Sequence, residues 1–215
     1  MSMAKTRKPL SRERILESAL AHADEHGIEK LSMRKLGQAV GYEAMSLYNH
    51  VANKDDLLDG MLDLVLAEME PPQPDDGMAG IRRSALSAHE ALKRHPWAAG
   101  LLMAPSRVRP ARLAFMDALL GALRSAGFTP ETTYHAYHVI DAHVIGFSLW
   151  QSTHDFALPE EINDDIRGFL EKVIPQETFP HLHAHGMEHL DGTYDAVSAF
   201  AYGLDLLLAG LEEKR

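Results

Sequence analysis

Apolar residues recur at intervals of three and four positions along most of the chain, which is the spacing of amphipathic helices. No stretch of useful length alternates apolar and polar residues as a half-buried strand would. The pattern therefore predicts an all-α protein. The expected helices cover about 11–26, 32–40, 43–49, 53–70, 77–94, 96–103, 107–126, 129–154, 160–173 and 193–212.

Residues 31–63 are typical of a helix-turn-helix, in which a second short helix enters the major groove of DNA. Ser32 is expected to cap the first helix, and Gly41 is a turn residue that tolerates positive φ. The short helix over 43–49 carries small or hydrogen-bonding side chains with little charge, which suits contact with base edges. Asn53 is expected to cap a longer helix that has two aspartates in its first turn.

Charge is divided unevenly along the chain. The 215 residues carry a net charge of −10, but residues 1–54 hold nine Lys or Arg against six Asp or Glu. That segment is therefore net +3, and the remainder is net −13. A basic end on an acidic body confines phosphate affinity to the N-terminal end of the protein.

The stretch LSMRKLGQAVGYEAMSLYNHVANKDDLLD (31–59) resembles the DNA-binding segment of TetR-type transcriptional repressors, without a gap over about thirty residues. The family's contact positions, together with the outward placement of side chains around the turn, indicate the DNA-binding residues. These are Arg34, Lys35, Ala44, Met45, Ser46, Tyr48, Asn49, His50 and Lys54. Arg34 and Lys54 are expected to bind chiefly phosphates, and Met45 is a candidate contact for a thymine methyl group.

The resemblance covers nearly the whole chain and implies its domain organisation. An N-terminal three-helix head is expected over 1–54, a connecting helix over 53–70, and a helical body that binds a ligand and dimerises over 71–215. Prolines at 71, 72 and 74 end the connecting helix, because proline cannot continue it.

The last helix, with the segment GLDLLLAGLEEK (203–214), also resembles its counterpart in the tetracycline-repressor subgroup. In this family the last helix and the long one before it form a four-helix bundle with the partner subunit. A homodimer through the helices over 129–154 and 193–212 is therefore expected. The alternative is that both helices bury their apolar stripes inside one chain.

The resemblance implies a ligand-responsive transcriptional regulator. We expect a repressor that binds a palindromic operator in double-stranded DNA as a homodimer and is released by a small, largely apolar effector. In a family-like arrangement the effector pocket would be lined by Met69, His89, Trp97, Leu101, Met103, Met116, Leu119, His138, Phe147 and Trp150. Each of these side chains could equally belong to the ordinary core.

The tetracycline repressor grips a magnesium–drug chelate through histidine and glutamate side chains. In an ungapped alignment those positions fall near Glu70, Pro105 and Trp150, two of which lack a suitable ligand atom. We therefore expect no tetracycline sensing and no cofactor.

Ten of the 13 histidines lie in the body, which raises the alternative of a metal-dependent or hydrolytic enzyme. Four of them, His181, His183, His185 and His189, crowd into a stretch that looks like a surface loop with no fixed acidic partner. If the stretch is helical, His181, His185 and His189 share one face, and three imidazoles could bind zinc or nickel. The chain contains no nucleophile-elbow, HExxH or phosphate-binding glycine motif. We expect neither a metal site nor an enzyme.

The remaining features concern the compartment. No apolar run reaches the length of a membrane span, and the chain does not open on a signal-peptide pattern. Cysteine is absent, which excludes disulfides and thiolate metal sites. A cytoplasmic protein with no membrane partner is expected.

Overall fold

The computed structural model describes residues 9–104, 109–154, 166–190 and 196–215, and within them it contains eleven α-helices and no strand. The first six helices are α1 (Arg12–His26), α2 (Met33–Val40), α3 (Ala44–Leu47), α4 (Lys54–Ala67), α5 (Gly77–Arg94) and α6 (Pro96–Leu102). The others are α7 (Pro110–Ser125), α8 (Pro130–His154), α9 (Ile166–Val173), α10 (Pro180–Leu190) and α11 (Ala196–Glu212). The all-α prediction is confirmed.

Side-chain caps fix where the first helices begin. The Ser32 hydroxyl accepts a hydrogen bond from the Lys35 amide at 3.3 Å, and the Asn53 side chain accepts one from the Asp56 amide at 2.8 Å. Gly41 ends α2 in the left-handed conformation, with φ of 78°. These caps were predicted from the sequence, and they hold the turns of the helix-turn-helix in place.

Helices α1 to α4 share one apolar core. Ile15, Leu36, Leu47, Leu57 and Met61 are all completely buried in it. Because each of the four helices contributes a buried side chain, none of them can move far alone without opening a cavity.

The described residues form two compact units, of which the first ends at Ser152 and the second begins at Thr153. In the first unit, α5 and α7 pack together and bury side chains such as Ile81 and Leu123. In the second unit, α9 contacts α10, and Phe200 of α11 is completely buried. None of the helices described is long and apolar enough to cross a lipid bilayer.

Two predictions about local structure were wrong. The recognition helix is a single turn, Ala44–Leu47, so residues 48–50 follow it instead of extending it. The histidine-rich stretch is helix α10 and not a loop, and its residues beyond Pro180 lie on one continuous helix. Proline at a first helical position loses no hydrogen bond, so it begins this helix. Parts of the predictions for 107–126, 160–173 and 193–212 fall outside the described residues.

Candidate nucleic-acid interface and ligand cavity

The recognition helix α3 is anchored by one side and exposed on the other. Leu47 is completely buried, while the Met45 side chain is 75% exposed and Tyr48 is 43% exposed. A thioether and a phenol held out to solvent by a buried leucine can contact base edges and methyl groups without first leaving the core.

The nine predicted DNA-binding residues lie together around α2, α3 and the start of α4. The exposed ones are Arg34, Lys35, Met45, Tyr48, Asn49 and Lys54, and the half-buried ones are Ala44, Ser46 and His50. None of the nine belongs to the core of this region. Basic side chains flank the short uncharged helix on both sides, which is the order that phosphate and base contacts need.

Close approach of α2 and α3 depends on Gly37. A Cβ atom there would lie 2.7 Å from the Tyr42 carbonyl oxygen and 3.1 Å from the Ala44 amide nitrogen. The Tyr42 amide donates to the Gly37 carbonyl at 2.8 Å, which closes the turn. Any side chain at position 37 would push the recognition helix away from α2.

Two arginines of α1, which sequence reasoning missed, bind the two ends of residues 40–50. These residues contain the recognition helix and are called the recognition segment below. Arg14 donates to the Val40 carbonyl at 3.0 Å, at the end of α2. Arg12 donates to the His50 carbonyl at 3.0 Å and binds both carboxylate oxygens of Asp56, at 2.8 and 2.7 Å. Their signal in the sequence is weak, since basic residues at the start of a surface helix are common.

In the ion pair between Arg12 and Asp56, both carboxylate oxygens accept a hydrogen bond. The Arg12 hydrogen bonds, followed by one from the Ala52 amide at 2.8 Å, lower the pKa of Asp56 to about 2. A single ionised carboxylate therefore joins α1, the 48–53 turn and the first turn of α4. This contact joins the first turn of α4 to the residues that follow the recognition helix.

Two small adjoining cavities lie among α4, α5, α7 and α8. Each has a volume of about 30 Å³, enough for about one or two water molecules. Both are bordered by Ala88, Phe115, Asp141 and Val144. Leu66, near the end of α4, lines the second cavity.

The walls of the two cavities are apolar except for a few polar side chains. Arg112 and Asp141 form a loose ion pair, with Nη2 and Oδ2 3.7 Å apart. Burial raises the pKa of Asp141, although Arg112 opposes the shift. A ligand that enters here would meet hydrocarbon and one charged pair.

The structure brings three of the ten predicted ligand residues to these cavities, Met69, Met116 and Leu119. His89 is buried nearby and hydrogen-bonded to Ser148 at 2.8 Å, and burial lowers its pKa to about 4. Five others lie elsewhere among the described residues. Leu101 packs against the core of α1 to α4, Phe147 is half-buried, and Met103, His138 and Trp150 are exposed.

Trp97, the last of the ten predicted ligand residues, faces the first helix instead of the cavities. Its indole Nε1 donates to Asp24 Oδ1 at 2.7 Å. The lining of the cavities contains residues that sequence reasoning did not single out, among them Ala88, Arg112 and Phe115. A small apolar residue, an arginine and a phenylalanine on helices give no sequence signal for a pocket.

Within the part of the chain that the structure describes, no group of three or more metal-binding side chains could hold a metal ion. His183 donates from Nδ1 to the Ile174 carbonyl at 2.8 Å, which makes it a structural contact. His181 and His185 are exposed, and the side chain of His189 lies outside the described residues.

Comparisons with known proteins agree with this architecture. Residues 15–61 match the family model “Bacterial regulatory proteins, tetR family”, and residues 70–215 match “Tetracyclin repressor-like, C-terminal domain”. The HTH-type transcriptional repressor DrrR1 of Streptomyces coeruleorubidus is 31% identical over 94% of this chain and 77% of its own.

Two solved structures from Streptomyces coelicolor are also similar. A possible TetR family transcriptional regulator has a TM-score of 0.76 at 28% identity, covering 95% of this chain and 100% of that one. The TetR family protein ActR, in complex with actinorhodin, has a TM-score of 0.70 at 30% identity, covering 96% and 99%. The chain therefore belongs to the TetR family, and it is a DNA-binding transcriptional regulator and not an enzyme.

Proposed function

We propose that the protein is a repressor that binds a palindromic operator as a homodimer and leaves it when a small, largely apolar effector enters the body. The observation that carries this proposal is the position of α4. Asp56 in its first turn is tied to Arg12 beside the recognition helix, and Leu66 in its last turn lines a cavity. One helix thus contacts both the DNA-binding residues and the candidate effector site.

Operator binding is supported by the nine residues around α3, of which six are exposed and none belongs to the core. Arg34 and Lys54, at the two flanks, would bind phosphates, and Met45 and Tyr48 would contact bases. DrrR1, to which this chain is similar, is named an HTH-type transcriptional repressor.

A homodimer is supported by apolar residues left exposed on two helices. On α8, exposed residues recur at helical spacing, and they include Val139 and Trp150. On α11, Tyr202 is 68% exposed and Leu206 is 58% exposed, beside Ala209 and Gly210, which permit close helix approach. A second copy packed on these surfaces would supply the second recognition helix that a palindromic operator needs, since its half-sites lie about one DNA turn, ~34 Å, apart.

An apolar effector is supported by the lining of the two cavities. They are too small for a drug-sized molecule, since such sites enclose about 300 Å³ or more. Phe115 borders both cavities and is only half-buried, so its displacement would join them. A ligand of this kind gains affinity from hydrocarbon contact and orientation from the Arg112–Asp141 pair. Among the similar structures, ActR holds actinorhodin.

The experiment begins with small molecules that co-purify with the protein and are identified by mass spectrometry. Fluorescence anisotropy with palindromic duplexes from the upstream region of its own gene then gives operator affinity with and without each molecule. Because coupling is reciprocal, operator must weaken effector binding by the same factor. Equal effector affinity of free and DNA-bound dimer would contradict release.

A substitution tests whether the effector binds in the two cavities. Ala88 borders both cavities and is buried, so Ala88→Val should lower effector affinity by about tenfold, the effect of about 1.4 kcal/mol. Ala114→Val is the matched control, because Ala114 is exposed on α7. An effector that binds both variants equally well would place its site elsewhere.

A further inference from the structure

His95 links the first helix to the body. It lies between α5 and α6 and is only 6% exposed. Its Nδ1 is 2.9 Å from Asp24 Oδ1 on α1, and its Nε2 is 3.2 Å from Glu68 Oε1 at the end of α4. One imidazole therefore joins three segments that are far apart in the sequence.

The partners of His95 determine which form of the ring fits. Burial alone would raise the pKa of Glu68, but hydrogen bonds from Arg94 and His95 lower it, so this carboxylate is ionised. Asp24 also accepts a hydrogen bond from the indole of Trp97. Since ionised carboxylates only accept, His95 can donate from both nitrogens only as the doubly protonated imidazolium.

Each neighbouring helix contributes one group near the His95 ring or its partners. Asp24 belongs to α1, Glu68 follows α4, and Arg94 of α5 binds the other oxygen of Glu68 at 2.6 Å. The residue contributed by α6 is the uncharged Trp97, whose ring centre lies 6.2 Å from that of His95. Two carboxylates thus face one guanidinium and one imidazole, and charge balances when the imidazole is protonated.

Helices α1 and α4 are joined at both of their ends. Arg12 binds Asp56 where the two helices start, and His95 bridges Asp24 and Glu68 where they finish. Only the second joint also includes the body, through the α5–α6 junction. We propose that His95 is the positioning residue that fixes α1 to the body, and that it does so only as imidazolium. A neutral ring would leave one nitrogen lone pair facing a carboxylate oxygen and open the joint.

The first test uses Trp97, which shares Asp24 with His95. The chain has two tryptophans, so Trp150→Phe leaves Trp97 as the sole indole. We expect its emission to move to longer wavelength as pH rises and His95 loses its second proton, because the indole loses a partner and gains water. An emission spectrum that stays constant with pH while the protein stays folded would overturn the proposal without any substitution at His95.

Two variants test whether His95 causes the pH-dependent change in Trp97 emission. His95→Gln in the Trp150→Phe background should abolish the pH-dependent shift. His26→Gln should retain it, since His26 lies on the same helix as Asp24 but is exposed. A shift that survives in His95→Gln, or vanishes in His26→Gln, would assign the titration to another group and overturn the proposal.

The second test rests on the proposed function, because it reads operator affinity. His95→Gln should weaken binding of an operator duplex by about tenfold at a pH below the change in Trp97 emission and by less at a pH above it, within the usual range of coupling between sites. His95→Lys keeps a positive charge at both pH values and should remove the pH dependence. Equal affinities of wild type and His95→Gln at both pH values would overturn the proposal. Failure of every duplex to bind would instead refute the proposed function, and the Trp97 titration would still decide the role of His95.

Discussion

Leu16 lies against Gly60 so closely that a Cβ atom at position 60 would be 2.7 Å from its Cδ2 and 3.2 Å from Arg12 Nη2. Gly60 is therefore a point of close approach between α1 and α4, and its lack of a side chain leaves room for Arg12 to reach Asp56. The contact fixes the distance between the first helix and the helix that enters the body.

A side chain at this close contact should destabilise the protein. We expect Gly60→Ala to lower the free energy of unfolding by about 1 to 3 kcal/mol, the usual cost of overpacking a well-filled contact. Chemical denaturation measures this change in the free energy of unfolding. Gly121→Ala is the matched control, because a Cβ atom there meets nothing within 4 Å. It should raise stability by about 0.5 to 1 kcal/mol, the difference in helix propensity. Equal effects of the two changes would show that α1 and α4 can separate at no cost.

The Arg12–Asp56 pair should make stability depend on pH in the acid range. The pKa of Asp56 is about 2 in the folded protein against 3.8 ordinarily. Because the folded pKa is the lower one, the stabilisation is complete above about pH 4 and is lost as pH falls towards about 2. The pair is partly exposed, so we expect about 1 to 2 kcal/mol from it.

Denaturation of Asp56→Asn at several pH values tests this expectation. The variant should be less stable at neutral pH and should lose the acid dependence between about pH 4 and about 2. Asp55→Asn, a change in the same helical turn at an exposed side chain, should have a smaller effect. An acid profile of Asp56→Asn identical to that of wild type would rule out this pair as its source.

Lys54 should contribute a phosphate contact. It is exposed at the first position of α4, beside the recognition segment. Lys54→Ala is expected to weaken binding to specific and unrelated duplexes alike, and to reduce the slope of log K against log salt by about one. Lys93→Ala, at an exposed lysine of α5, should leave the slope unchanged. Binding assays across a salt series distinguish these outcomes, and an unaltered slope for Lys54→Ala would remove it from the interface.

The proposed dimer surface predicts different effects for glutamate substitutions at two leucines of α11. Leu206 is 58% exposed, whereas Leu204 is completely buried in the single chain. Leu206→Glu should give folded monomers that no longer bind operator, because the charge would be buried only in the dimer. Leu204→Glu should instead lower stability by several kcal/mol. Sedimentation with thermal unfolding separates loss of assembly from loss of folding, and a stable Leu206→Glu dimer would place the interface elsewhere.

The sequence by itself determined the helices and the DNA-binding segment. Capping residues such as Ser32 and Asn53, and the turn at Gly41, act over three or four positions, so their effect can be predicted locally. The apolar period likewise gave the helical class and most helix limits. It overestimated the length of the recognition helix, because residues 48–50 contain no periodic apolar side chain to show where the helix stops.

Only the tertiary structure decided which distant residues meet. Arg12 reaches Asp56 across 44 positions, and His95 reaches Asp24 across 71. The same holds for the cavities, since Trp97 was expected to line them but binds Asp24 on the first helix. Charged and aromatic side chains of these kinds occur on every helix surface, and their partners depend on how the helices pack. Packing is set by the summed contacts of the whole core, and no local pattern encodes it.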